Sequence, residues 1–237
     1  MCEKPILFSA PMVRAILDGR KNQTRRVVKP QPDGAFTVGV YNPTMVDRKG
    51  EEYPGEEVFG ASHVDGEWGI KCPYGKPGDR LWVRETWRAF LGDDPRVEYA
   101  AGGTTNLDWE HTEAWLKEAR QFNELPSAVE SGLVQQSEVT RWRPSIHMPR
   151  WASRIALEVL SVRVERLNEI SSDDAIAEMG WIHNGTYPTE FVYEIREFSK
   201  LWESINGSGS WATNPWVWVV EFKRVQGDTL AVIRGGE

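Results

Sequence analysis

The sequence predicts an α+β fold that is mainly β, and three observations carry that prediction. Strand-like runs with alternating or continuous apolar character recur at 80–87, 152–167 and 215–225. The helical patterns between them are short and bring their own start and stop signals. The stretches that connect them are rich in Gly, Pro, Asp and Glu, which is turn chemistry.

Residues 5–10 read as a first strand centred on Ile6, Leu7 and Phe8. Ser9 then caps a helix, Pro11 fits its first turn, and Met12, Ala15 and Ile16 recur at helical spacing. Gly19 is placed to end that helix in the left-handed conformation. The run Gly19-Arg20-Lys21-Asn22-Gln23-Thr24-Arg25-Arg26 leads into a strand completed by Val27 and Val28 and broken by Pro30. Lys21 falls at the helix-to-strand turn. In an extended segment Thr24 and Arg26 share one face, and Gln23 and Arg25 the other. A lysine at a turn, a hydroxyl three residues on and an arginine two further can converge on one small polar or anionic group. A solvated basic turn is the plain alternative.

Residues 31–70 form a long excursion with a hairpin expected to end at Asp65-Gly66. Pro73-Tyr74-Gly75-Lys76-Pro77-Gly78-Asp79 is a turn that feeds the strand at 80–87. Alternation puts Leu81, Val83 and Glu85 on one face, so Glu85 points inward or lies exposed at the strand end. Residues 91–140 are a second excursion with a helix expected at 108–122.

Residues 141–151 interleave Arg141, Arg143 and Arg150 with Trp142 and Trp151 between two prolines. That combination suits an anionic ligand with a flat ring, guanidinium on phosphate and indole on base. Trp residues plugging one end of the fold are the alternative. His147 is a ligand-facing hydrogen bonder or a pin for the loop. The strand at 152–167 follows, with a bend or bulge expected near Ser161. Ser171 opens a short helix that stops at Gly180 and sets Glu178 at the edge of its buried face. A longer helix spans 189–205, with Phe191, Ile195, Phe198, Trp202 and Ile205 on one stripe. Trp216, Trp218, Val220 and Phe222 share a face of the last strand, and 230–233 adds a short edge.

The chain has 237 residues, 12 of them Trp, and a formal net charge of −7. That balance argues against coating nucleic acid non-specifically, which rests on neutralising many phosphates. The cations are nonetheless segregated: Arg14, Arg20, Lys21, Arg25, Arg26 and Lys29 in one cluster, Arg141, Arg143, Arg150 and Arg154 in another. Cys2 and Cys72 make no disulfide framework, and no Cys/His spacing suits zinc. No metal or cofactor is expected. The opening Met-Cys-Glu-Lys-Pro is no signal peptide and no apolar run approaches membrane-spanning length, so a cytoplasmic protein without membrane contact is expected.

The pattern Gly-x-Lys-x-x-Thr-x-Arg after a short helix, here Gly19, Lys21, Thr24 and Arg26, resembles the signature of the ASCH family, a branch of the PUA-like β-barrels. The Gly78-Asp79 turn and its strand resemble that family's next landmark. The element order is similar over about half the chain. The stretches 19–26, 78–87 and 143–155 are similar to longer ASCH-containing proteins encoded by phages and prophages. The resemblance implies one domain over 1–237, a small PUA-like β-barrel flanked by short helices, with 31–70 and 91–140 as insertions.

It also implies a function. PUA-like ASCH modules associate with RNA or nucleotides, here in a basic, Trp-lined cleft to which Arg26, Glu85, Arg143, His147, Arg150 and Trp151 contribute. Some small ASCH members are amidohydrolases that deacylate the exocyclic amine of a modified cytidine with a lysine, a threonine and a glutamate. Carried over, those are Lys21, Thr24 and Glu178, with Glu85 the rival carboxylate. Thr24 is then the nucleophile or holds a water. A phage accessory or assembly protein with an unknown protein partner is the third reading. A metal nuclease wants clustered carboxylates, and none stand out.

Overall fold

A computed structural model describes residues 3–66, 68–90, 96–106, 141–181 and 193–226. Strand β1 (Glu3–Leu7) leads into helix α1 (Ala10–Leu17) and then strand β2 (Gln23–Val27). Gly19 closes α1 with φ 72°, as its position predicts. The first excursion carries β3 (Phe36–Tyr41), β4 (Thr44–Val46), β5 (Glu52–Pro54), β6 (Val58–His63) and β7 (Gly69–Lys71). Next come β8 (Arg80–Arg84), β9 (Trp87–Phe90), β10 (Arg96–Tyr99) and β11 (Thr104–Asn106). The long strand β12 (Ala156–Arg166) precedes helices α2 (Ser172–Met179) and α3 (Tyr193–Asn206), and β13 (Trp216–Arg224) is last. The helix expected at 108–122 and the edge expected at 230–233 lie outside the described residues.

The described chain is mainly β with few helices, within the expected α+β class, and among the described residues no sheet closes into a barrel. Its largest sheet has the order β1-β8-β12-β13-β2. No described helix is long and apolar enough to cross a membrane. The chain divides into two compact units: Met1–Lys4, Asp18–Leu81 and Leu157–Arg224 form one, and Pro5–Leu17, Trp82–Ala156 and Val225–Glu237 the other.

In the first unit β13 runs antiparallel between β12 and β2. Its register sets Val219 against Arg25 and Arg163, and Val220 against Thr24 and Val162. Side chains directly opposite share a face, so Arg25 and Thr24 look out of opposite sides of the sheet. On the Arg25 side, Val217 and Val219 pack with Leu167, Ile170 and Ala175 and with Phe198 and Trp202 of α3. On the other side Trp218, Val220 and Phe222 are also buried. Both faces of β13 are therefore core, with helices covering the Arg25 side. Ile205 is exposed despite its place on the stripe, because the stripe leaves the apolar cluster at the last turn of α3.

The bulge expected near Ser161 is present. The β12–β13 register shifts between Val159 and Ser161 and leaves Leu160 exposed. In the first excursion the hairpin expected at Asp65-Gly66 is the β6–β7 pair. Strands β3, β4 and β5 were not legible as strands: β4 and β5 have three exposed residues each, and the alternation of Phe36, Val38 and Val40 in β3 sits in a stretch dominated by turn residues. Gly60 lies where a Cβ would come 2.1 Å from the Ile70 carbonyl oxygen, so only glycine lets β7 approach that closely.

In the second unit β9, β10 and β11 form an antiparallel sheet, and Trp87 bridges Arg143. Trp87, Ala89, Val97, Tyr99, Met148 and Ala152 build its core.

Candidate functional site

The first unit holds a buried charged cluster built on the stretch after α1. Lys21 sits in the turn before β2, and its side chain is fully buried. Its Nζ donates to the Gln23 carbonyl at 2.7 Å and to the Glu178 carbonyl, and the Glu178 carboxylate lies 3.7 Å away. Helix α2 delivers Glu178. The Ser171 hydroxyl caps that helix by accepting from Asp174 N–H at 3.1 Å, and Gly180 ends it with φ 67°. The Arg20 guanidinium donates to the Gly180 carbonyl at the end of the helix.

Arg25 is the hub of the cluster. Its backbone N–H donates to Glu178 Oε1 at 2.8 Å and its Nη1 to Oε2 at 3.3 Å. Its Nε and Nη2 both reach Glu165 Oε1, at 3.0 and 2.5 Å, and Nη2 also reaches Asp174 at 2.8 Å. Arg163 bridges the same two carboxylates, at 3.0 Å each, and Glu221.

Burial lowers the Lys21 pKa from its ordinary 10.5 to about 8. Glu178 opposes that shift, while the like charges of Arg26 and Arg25 add to it. Arg26 is thus felt by Lys21 although the register puts it on the Thr24 side of β2. It also acts on the Tyr74 phenol, which burial pushes up against Arg26's pull downward. Lys21 is the point at which the two faces of β2 meet electrostatically. Of the three residues expected to work together, Lys21 and Glu178 are in contact. Thr24 is buried opposite Val220, on the face away from Arg25.

Glu85, Arg143, His147, Arg150 and Trp151 belong to the second unit. Glu85 points inward with Leu81 and Val83, and Arg154 meets it with a two-pronged bridge, Nε to Oε1 at 2.9 Å and Nη2 to Oε2 at 3.0 Å. Burial raises the Glu85 pKa, with Arg154 working against the rise. The Arg154 guanidinium also lies over the Tyr99 ring, 3.9 Å from its centre. Arg143 is buried: its backbone pairs with that of Trp87 and its guanidinium lies 5.1 Å from that indole. Trp151 meets Trp87 edge-on at 5.6 Å. His147 is exposed and ends a 3-10 turn, its backbone N–H donating to Pro144 at 3.0 Å.

Two half-open indoles carry arginines on this unit. Trp82 has the Arg84 guanidinium at 5.3 Å and that of Arg150 at 6.0 Å. Trp142, 45% exposed, has Arg88 at 4.6 Å. Arg84 is anchored by the Met148 carbonyl at 3.0 Å and by that of Ile146.

Sequence reasoning missed Arg25, Glu165, Asp174 and Arg154. Alternation had assigned Arg25 to its correct face, but nothing in the sequence told which face α2 would cover. Glu85 on an inward face called for a cation, and Arg154 in the second basic cluster was the available signal. Among the described residues no group of three His, Cys, Asp or Glu side chains is set to hold a metal. Comparison with family models, with characterised proteins and with solved structures returns no match.

Proposed function

We propose that the chain is an ASCH-type, PUA-like module that recognises RNA, or a nucleotide with a modified base, through the arginine-bearing indoles of its second unit. The observation that carries this reading is Trp82 with two guanidiniums, Arg84 and Arg150, within 6.0 Å of its ring. An indole offers a flat face to a base, and an adjacent guanidinium offers charge to a phosphate. One such cluster on a chain of net charge −7 fits recognition of a short segment rather than coating of a long one. The reading entails a cytoplasmic protein, and the three stretches similar to phage and prophage proteins make phage RNA a natural ligand.

The test is fluorescence anisotropy with a labelled single-stranded RNA at several salt concentrations. Affinity is expected to fall with salt. Trp82→Ala should lower it by about 1–3 kcal/mol, the value of one stacked base. Arg150→Glu should weaken binding and reduce the salt slope by roughly one phosphate's worth. Unchanged affinity in both variants would remove this surface from the reading.

Lys21 favours a second reading, hydrolysis of an acyl group from the exocyclic amine of a modified cytidine. A lysine brought to about 8 supplies free amine near neutral pH, as a general base must. In this reaction Lys21 takes a proton from water, or from the Thr24 hydroxyl, and the oxygen adds to the acyl carbon. The protonated Lys21 then gives that proton up to the leaving nitrogen, with Glu178 as the relay, as the C–N bond breaks. The products are a carboxylic acid and the free amine; where Thr24 is the attacking group, the acyl-Thr24 is released by the one water the reaction consumes. Turnover of an N-acylated cytidine, followed by chromatography, should vanish in Lys21→Ala. Turnover that survives in that variant rules the mechanism out.

A further inference from the structure

Arg25 enters neither reading, yet it makes more polar contacts than any other side chain of the Lys21 cluster. Its guanidinium is wholly buried. Glu165 and Asp174 hold one side of the fork, at 2.5 and 2.8 Å. The other side, together with the backbone N–H of the same residue, engages both oxygens of Glu178. A carboxylate held at both oxygens has little freedom to turn toward a third donor. The Lys21 ammonium indeed finds carbonyls, those of Gln23 and Glu178, within hydrogen-bonding distance. Its ion pair with the Glu178 carboxylate is longer, 3.7 Å to Oε1.

We propose that Arg25 is the positioning residue of the Lys21 site: by holding both oxygens of Glu178, it keeps that carboxylate from closing on Lys21 and so sets how readily Lys21 gives up its proton. Three groups of charge act on the site. Arg25 and Arg26 come from β2, Glu178 and Asp174 from α2, and Arg163, Glu165 and Glu221 from β12 and β13. Without the Arg25 guanidinium two things change in the same direction. A like charge near Lys21 disappears, and Glu178 loses the hold on its Oε2 and stays tied only by the backbone N–H at Oε1, so it can turn further toward the ammonium. Both favour the protonated lysine.

The catalytic meaning of this assignment rests on the deacylation reading; its effect on protonation does not. The experiment titrates the Lys21 Cε resonance in protein labelled with 13C-lysine, identified by its loss in Lys21→Arg. In the intact protein the midpoint is expected at about 8. Arg25→Gln should raise it by about one unit or more, a tenfold change in proton affinity. Glu178→Gln should lower it. In the Arg25→Gln, Glu178→Gln double variant, the shift caused by losing Arg25 should shrink to less than about half, because Arg25 acts largely through Glu178. A general loosening of the fold would also raise the midpoint, but it would do so equally with and without Glu178. Arg25→Lys keeps the charge and loses the fork, so it should show a smaller rise, and it serves if Arg25→Gln does not fold. A midpoint unchanged in the folded variants, or an equal shift in both backgrounds, overturns the assignment. If the protein deacylates, Arg25→Gln should move the alkaline pH–rate profile by the same amount as the midpoint. Absence of turnover in the intact protein removes the reaction, while the titration still decides the role of Arg25.

Discussion

Glu85 and Glu178 are both buried carboxylates, 1% and 4% exposed, one in each unit, and they differ in how their charge is met. Glu85 has one principal partner: Arg154 matches it oxygen for nitrogen, and the Tyr99 ring covers the guanidinium. Glu178 shares its cations. Arg25 takes both its oxygens and is itself shared with Glu165 and Asp174, while Lys21 donates to two carbonyls and meets the Glu178 carboxylate only in a longer ion pair of 3.7 Å. A one-to-one fork is a closed structural element, since each oxygen of the carboxylate is answered by one nitrogen of the same guanidinium. A shared network leaves one member, the lysine, poised between its two states. The comparison teaches that two buried carboxylates can sit in different electrostatic settings, one in a one-to-one pair and one in a shared network.

The largest effect is expected from opening the closed pair. Arg154→Ala leaves Glu85 buried without its cation and should destabilise the fold by about 3–5 kcal/mol in denaturant unfolding. Burial already holds the Glu85 pKa above its unfolded value, so its contribution is present at low pH and lost as pH rises through the folded pKa. The Arg154→Ala defect should therefore shrink as pH falls toward the ordinary glutamate range. An apolar pair, Glu85→Leu with Arg154→Met, should recover much of the loss. An Arg154→Ala protein as stable as the parent would dissolve the contrast between the two glutamates.

Opening the shared network has a signature in pH instead. The folded value for Lys21, about 8, lies below its ordinary 10.5, so the unfolded chain binds more protons between them. Stability should rise with pH across that window, with a slope of at most about 1.4 kcal/mol per pH unit. Lys21→Met should flatten that rise, as read from urea midpoints at pH 8 and above. A slope unaffected by the substitution would mean that Lys21 is not the group responsible. The smallest effect is expected at the surface. Trp142→Ala loses an exposed stack on Arg88, and its thermal midpoint should reflect no more than about 1 kcal/mol.

Much of the local chemistry was legible in the residues themselves. The stop at Gly19, the Ser171 cap, the end of α2 at Gly180 and the bulge by Ser161 were all readable, because each depends on a few neighbouring residues and on backbone sterics. Alternation also placed Glu85 on the face of Leu81 and Val83, but it left open whether the strand end was buried or exposed there. What the sequence left open were choices between equivalent faces and partners. Alternation separated Thr24 from Arg25 but could not say that α2 would lie on the Arg25 side and carry Glu178 there. It marked Lys21 as a turn lysine but not as a wholly buried one. Glu165, Asp174 and Glu178 lie 140, 149 and 153 residues from Arg25 in the chain, so only the pairing of β12 and β2 on either side of β13 and the placing of α2 bring three carboxylates to one guanidinium. Sequence by itself determined the strands β8, β12 and β13, the caps and the residue types available for chemistry, since those follow from local sterics and periodicity. Tertiary structure alone decided which charges are desolvated and which are shared, because both depend on the distance between segments that the chain order does not contain.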